Sequence, residues 1–140
     1  SAIDESTRLS LLAGKEVDLS TYFNLLNVAH QYRKSFDELL VNGRILVVPT
    51  TSTPAVPLGQ FDPQRVLGIF TRFVNLIQGC SVAVPNGLTA DQRPTSMQFV
   101  SSVGNDALIL KAALYWQKKT NWHEVLAAKH QEEMRSLFEV

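Results

Sequence analysis

Tyr22, Leu25, Leu26, Ala29, Tyr32, Phe36, Leu39 and Leu40 recur at steps of three and four, which places them on one stripe of a long helix. His30, Arg33, Lys34 and Asp37 fall on its other side, toward water or a partner. Asp18 or Ser20 caps the start, and Asn42-Gly43 supplies a residue that tolerates the left-handed conformation at which helices stop. A shorter helix is predicted from Asp4 to Leu12, ending at Gly14. The period then changes. Ile45-Leu46-Val47-Val48, between Gly43 and Pro49, has no polar face, which predicts a buried strand covered on both sides. Pro49, Pro54, Pro57, Gly59 and Pro63 exclude regular structure from Thr50 to Pro63. That loop is long enough for a functional or interface role.

A second helix is predicted to start at Pro63 behind Asp62 and to run through Val66, Ile69, Phe70 and Phe73 to Gly79. Ser81 to Val84 reads as the next strand, closed by a turn at Pro85-Asn86-Gly87. Ser96 to Ser102 alternates Met97, Phe99 and Ser101 against Gln98 and Val100, which predicts a third strand. Asn105 then caps a helix whose apolar residues are Ala107, Leu108, Leu110, Ala113 and Leu114. Asn121 with Glu124 resembles a capping box at the head of a last helix. Strands separated by helices give an α/β class: a small mixed sheet of about three strands flanked by helices, in one domain spanning 1–140.

Composition narrows the function classes. Thirteen Lys+Arg balance thirteen Asp+Glu, so no basic field exists to hold nucleic acid or an anionic membrane. No apolar run is long enough to span a bilayer. The single cysteine, Cys80, excludes an internal disulfide framework and suits a reducing, cytoplasmic compartment. The first residues have neither an initiator Met nor a signal-peptide pattern, as expected of a processed chain or a fragment.

Candidate chemistry is sparse. There is no Gly-rich phosphate loop, nucleophile elbow or Cys-x-x-Cys pair, and no cofactor is expected. His123 and His130 are too far apart, and too poor in companions, for a zinc site, so no metal is expected. Cys80 follows a helix C-terminus, which disfavours a thiolate, so a packed structural thiol is expected rather than a nucleophile. Trp116 and Trp122 flank a basic stretch, an arrangement typical of a helix–helix corner in a chain of zero net charge.

The order of segments nevertheless resembles the C-terminal third of the amidase signature family, over nearly the whole chain up to about Trp122. A helix bearing Tyr22 and Arg33 leads to a strand ending Pro49-Thr50-Thr51. Phe70-Thr71 and Asn75-Leu76 follow, then a small-residue turn and Val82-Ala83-Val84-Pro85-Asn86-Gly87. Pro94 precedes the Gln-bearing strand Met97-Gln98-Phe99-Val100, and a helix follows from Asp106 to Ala113. Asp4, Arg8 and Gly14 also stand where many members carry such residues. Leu67-Gly68, Phe73 to Leu76 and Leu88 to Pro94 look most like the allophanate hydrolase branch. Amidotransferase members often carry an acidic residue where Gly68 stands. Two departures stand out: Gly79-Cys80-Ser81 replaces a frequent Gly-Leu-Pro, and Pro94-Thr95-Ser96 replaces Pro-x-Gly.

The resemblance implies a partial amidase-signature fold and hydrolysis of amide C–N bonds, with an allophanate- or urea-type substrate. It also implies that the family's Ser nucleophile, second Ser in a cis peptide and Lys belong to the N-terminal two thirds. This chain has no Gly-Gly-Ser-Ser-Gly-like stretch, so no catalytic residue is assigned and inactivity alone is expected. Asn75, Gly79, Cys80 and Ser81 are implied as substrate-pocket wall, against the plainer reading of a packed helix–strand turn. The expected partner is a second copy of the chain or the N-terminal amidase portion. The alternative is a stand-alone, non-catalytic protein for oligomerisation or partner binding.

Overall fold

Asp18 starts the longest helix: its carboxylate accepts a hydrogen bond from the Thr21 backbone N–H at 2.8 Å. The computed structural model of the chain describes residues 3–60 and 68–138. Asp62, Pro63, Val66 and Leu67, and with them the expected start of the second helix, lie outside those residues. In order the elements are α1 (Glu5–Ala13), α2 (Leu19–Leu39), β1 (Leu46–Pro49), α3 (Ile69–Leu76), β2 (Cys80–Leu88), β3 (Pro94–Ser101), α4 (Asp106–Thr120) and α5 (Trp122–Phe138). Past α2 the chain turns at Asn42, whose φ of 58° is the left-handed stop expected of Asn42-Gly43.

The three strands form one sheet in the order β1-β3-β2, and both pairings are antiparallel. β3 lies in the middle and is covered on both faces: Gln98, Phe99, Val100 and Ser101 are all buried. One face packs Phe99 with Val84 of β2 and with Ile109 and Ala113 of α4. The other packs Val100 with Val74 and Ile77 at the end of α3, supported by Phe36, Leu46, Val48 and Phe73. Buried Gln98 sits on that second side, where its side-chain amide donates to the Phe70 carbonyl. Sheet and helices thus make a three-layer unit, with α3 and the end of α2 on one side and α4 on the other.

Four expectations change. The run at 45–48 is not covered on both sides: β1 is an edge strand on which Val47 stays 50% exposed. Pro85-Asn86-Gly87 is not a turn but an irregularity inside β2, where the register with β3 shifts. A proline is tolerated there because β2 is the other edge, and an edge strand can spare an outward N–H. The hairpin turn comes later, where Thr89 N donates to Arg93 O at 2.9 Å and Gln92 takes a φ of 64°. The buried face of α4 is Ile109 and Ala113, joined by Ala112 and Trp116, not Leu110 and Leu114, which are exposed. Finally, the α2 stripe is packed only at its end. Leu40 is buried and Phe36 stacks near Phe73 with ring centroids 5.5 Å apart. Tyr22, Leu25, Leu26 and Tyr32 are exposed, Leu25 by 57%.

Candidate functional site

Asn75, Gly79, Cys80 and Ser81 form the link from α3 to β2. The helix closes with two reversed hydrogen bonds, Gln78 N to Asn75 O at 3.1 Å and Gly79 N to Val74 O at 3.0 Å. Gln78, not Gly79, adopts the left-handed conformation, with φ 54°. The glycine is required for space: a Cβ on it would stand 2.7 Å from the Ser101 carbonyl oxygen. Cys80 and Ser81 then pair with Ser101 and Val100. Of the four, Asn75 and Ser81 are exposed, while Gly79 and Cys80 are half-buried. Arg33 of α2 reaches this link and donates to the Gln78 side-chain oxygen. The structure therefore brings the four residues into one packed turn, and no concavity among the described clefts is lined by them.

Cys80 has the environment expected of a structural thiol. Its sulfur lies 3.3 Å from Ser102 O and 3.7 Å from Ser101 O. Burial first, and then the charge of Asp106, push the thiol above its ordinary pKa. Both causes work against the thiolate that nucleophilic chemistry needs. Among the described residues, no group of three or more His, Cys, Asp or Glu side chains could hold a metal ion.

A second place has the shape of a site. Beyond β1 the chain continues alongside β3, with Thr50 N donating to Ser96 O at 3.1 Å, then curls through Thr51, Ser52 and Thr53. Between this curl and Asn86, Thr95 and Ser96 of the hairpin lies a cleft of about 290 Å³, with Pro49 and Pro54 completing its lining. Thr51 donates to Thr53 O at 2.8 Å, and Arg93 pins the loop to the hairpin by donating to Ala55 O at 2.6 Å. The Thr50 and Thr53 hydroxyls are buried without a hydrogen-bond partner. Sequence reasoning gave this loop only its length. The signal it passed over was four consecutive hydroxyl residues, Thr50 to Thr53, between prolines.

A larger cleft of about 480 Å³ separates the hairpin turn from α5 and is lined in part by Asp91, Arg93, Lys129 and His130. Two of its cations have internal partners. Arg93 bonds Asp91 at 2.7 Å and Lys129 donates to Gln92 O at 2.6 Å. The tryptophan pair is not a stacking platform either. Trp116 packs against the α4 core and donates to Pro85 O at 2.9 Å, so it ties α4 to the irregular stretch of β2. No helix of the described residues is long and apolar enough to cross a membrane.

Comparison with known proteins supplies the frame for these sites. A family model described as Amidase matches residues 5–110. The chain is 31% identical over 105 residues to the glutamyl-tRNA(Gln) amidotransferase A subunit of Geotalea daltonii, covering 72% of this chain and 21% of that protein. It is 32% identical over 88 residues to an acylamidase of Rhodococcus erythropolis, covering 56% of this chain and 18% of the acylamidase. A crystal structure of an amidase superposes on 84% of this chain and 29% of its own, with a TM-score of 0.75 at 20% identity. That likeness fixes the fold, including the sheet and helices described above. The chain spans about a fifth of the length of these curated relatives. On the match over residues 5–110, the chain belongs to the amidase family.

Proposed function

We propose that this chain is the C-terminal segment of an amide-hydrolysing enzyme, contributing pocket wall and scaffold while the reactive groups stand elsewhere in the parent fold. The observation that carries the reading is the family match over residues 5–110, together with the share of its relatives that the chain spans, about a fifth. Acyl transfer needs an activated nucleophile and donors aimed at the developing oxyanion. The family's Ser, cis-peptide Ser and Lys belong to the N-terminal two thirds, and in the candidate turn burial and then Asp106 push the Cys80 thiol up, away from the nucleophilic thiolate. Asn75 and Ser81, exposed beside the packed Gly79 and Cys80, are the wall residues with side chains free to meet a substrate.

Within the family the reading extends to the allophanate branch, with a substrate of the carbamoyl type in a cytoplasmic setting. Gly68 before Phe70-Thr71, the stretch Phe73-Val74-Asn75-Leu76 and the hairpin sequence Leu88 to Pro94 support this. The relatives named above are an amidotransferase A subunit and an acylamidase. Purified chain incubated with allophanate, and separately with simple carboxamides, is expected to release no ammonia above buffer. Clear turnover by the chain alone overturns the reading.

A second reading, association without catalysis, is favoured by one specific observation. Leu9, Leu11 and Leu12 of α1 and Leu19, Tyr22, Phe23, Leu25 and Leu26 of α2 are all exposed, and large exposed apolar side chains of this kind mark surfaces that a partner covers. The partner on this reading is a second copy of the chain.

A further inference from the structure

We propose that Arg33 is a positioning residue for the turn from α3 into β2: its hydrogen bond to Gln78 holds the left-handed backbone that sets where Asn75 and Ser81 stand. The consequence for a substrate rests on the pocket-wall reading, whereas the bond and its effect on the turn are read with no substrate present. Two observations carry this. A helix that closes with reversed hydrogen bonds puts a left-handed residue at its end, where glycine fits best. Here glycine is needed one place later, at Gly79, because no Cβ fits there beside the Ser101 carbonyl oxygen. The left-handed position therefore falls on Gln78, with φ 54°, a conformation that a side chain disfavours. And the exposed Gln78 side chain is met from across the fold by the guanidinium of Arg33, 45 positions earlier in the chain.

The helix presents that guanidinium in a fixed direction. α2 reaches the sheet layer through Phe36, against Phe73 of α3, and through buried Leu40. Arg33 stands one turn before Phe36 on the same side of α2, with its side chain one-third exposed. Asp37, one turn further on, lies 3.8 Å from Nε, and Nη1 is the atom that donates to Gln78 Oε1. A Gln78 that left the left-handed region would break both closing bonds of the turn, Gln78 N to Asn75 O and Gly79 N to Val74 O. Asn75 and Ser81 stand on either side of that change of direction, so their side chains would be re-aimed. Arg33 thus acts on the wall through Gln78, and α2 is coupled to the turn by one charged donor.

Hydrogen exchange of the Gln78 and Gly79 amides in the full chain, followed by NMR with the β3 amides as internal reference, tests this. Arg33→Ala should speed exchange at both amides about three- to tenfold, as loss of one exposed hydrogen bond does, and leave β3 unchanged. Gln78→Glu, which keeps an acceptor opposite Arg33, should retain the protection. In the Gln78→Gly background, where the residue needs no help to stay left-handed, Arg33→Ala should add nothing, a result that a general packing role for Arg33 would not give. Should Arg33→Ala fail to fold, Gln78→Ala removes the same bond from its exposed end and should speed exchange alike. Unchanged exchange at the two amides, acceleration shared equally by β3, or a full effect of Arg33→Ala in the Gln78→Gly background overturns the proposal. None of these results depends on ammonia release, so the amide-hydrolysis reading stands or falls separately.

Discussion

Gly79→Ala is expected to destabilise the chain by about 2–3 kcal/mol, as overpacking against a fixed neighbour does. The added Cβ meets the Ser101 carbonyl oxygen at 2.7 Å and Ile77 Cδ1 at 3.3 Å. The first contact is with backbone of the central strand, which cannot retreat without disturbing the Cys80–Ser101 pairing. For a domain of this size the melting temperature should fall by roughly 5–12 °C. Gly14→Ala is the matched control, because a Cβ there meets nothing within 4 Å and its φ is not left-handed. Thermal unfolding followed by circular dichroism decides it. If the two variants melt together, the close approach of the α3–β2 link to β3 is wrong.

The second large effect is expected at α4. Ile109 is 3% exposed and meets Val84, Phe99 and Ala113, whereas Leu110 is 53% exposed. Ile109→Ala removes three carbons from a packed core and should cost about 2–5 kcal/mol, transfer and cavity together. Leu110→Ala should stay within about 0.5 kcal/mol, the usual range of a surface change. Urea denaturation of the two variants, compared by midpoint at unchanged slope, reads the difference. The reverse order would mean that α4 presents its other face to the sheet.

This pair also shows where the sequence was legible and where it was not. α4 carries two apolar stripes one residue apart, and periodicity alone favoured the one with Leu110 and Leu114. The buried stripe is the one whose small residues, Ala112 and Ala113, let the helix lie close to the sheet, with Trp116 anchored on Pro85 O. Where local chemistry acts alone it was mostly legible: the Asp18 cap and the Asn42 stop are decided by neighbours in the chain, whereas the loop after Pro49 contains a short 3-10 turn at Leu58–Gln60 and Asn105 donates to Ser101 Oγ instead of capping α4. What failed depends on distant partners. Pro85-Asn86-Gly87 has the composition of a turn, but pairing of β2 with β3 on both sides of it keeps the strand going. The run 45–48 has the composition of a buried strand, yet β1 ends up at an edge. Likewise the α2 stripe was recognisable as apolar, but nothing in its period says which surface covers it.

The candidate turn was named from resemblance, and its geometry explains only part of it. Gly79 answers to the Ser101 carbonyl and Cys80 to the carbonyls of residues 101 and 102, so packing accounts for both. Asn75 and Ser81, which packing does not account for, carry what remains of the pocket-wall reading. The cleft beyond β1 was not foreseen, because it is assembled by two segments more than thirty positions apart that are brought together by the β1–β3 pairing and the Arg93–Ala55 hydrogen bond.

The exposed faces of α1 and α2 bear most directly on the account as a whole, since an amidase segment of this length should expose apolar surface that the rest of the fold, or another copy, is built to cover. Light scattering coupled to size-exclusion chromatography, at micromolar concentration of the purified chain, measures this. A particle of at least twice the 15.6 kDa chain mass is expected. A stable, monodisperse species of single-chain mass, undiminished on standing, would contradict it.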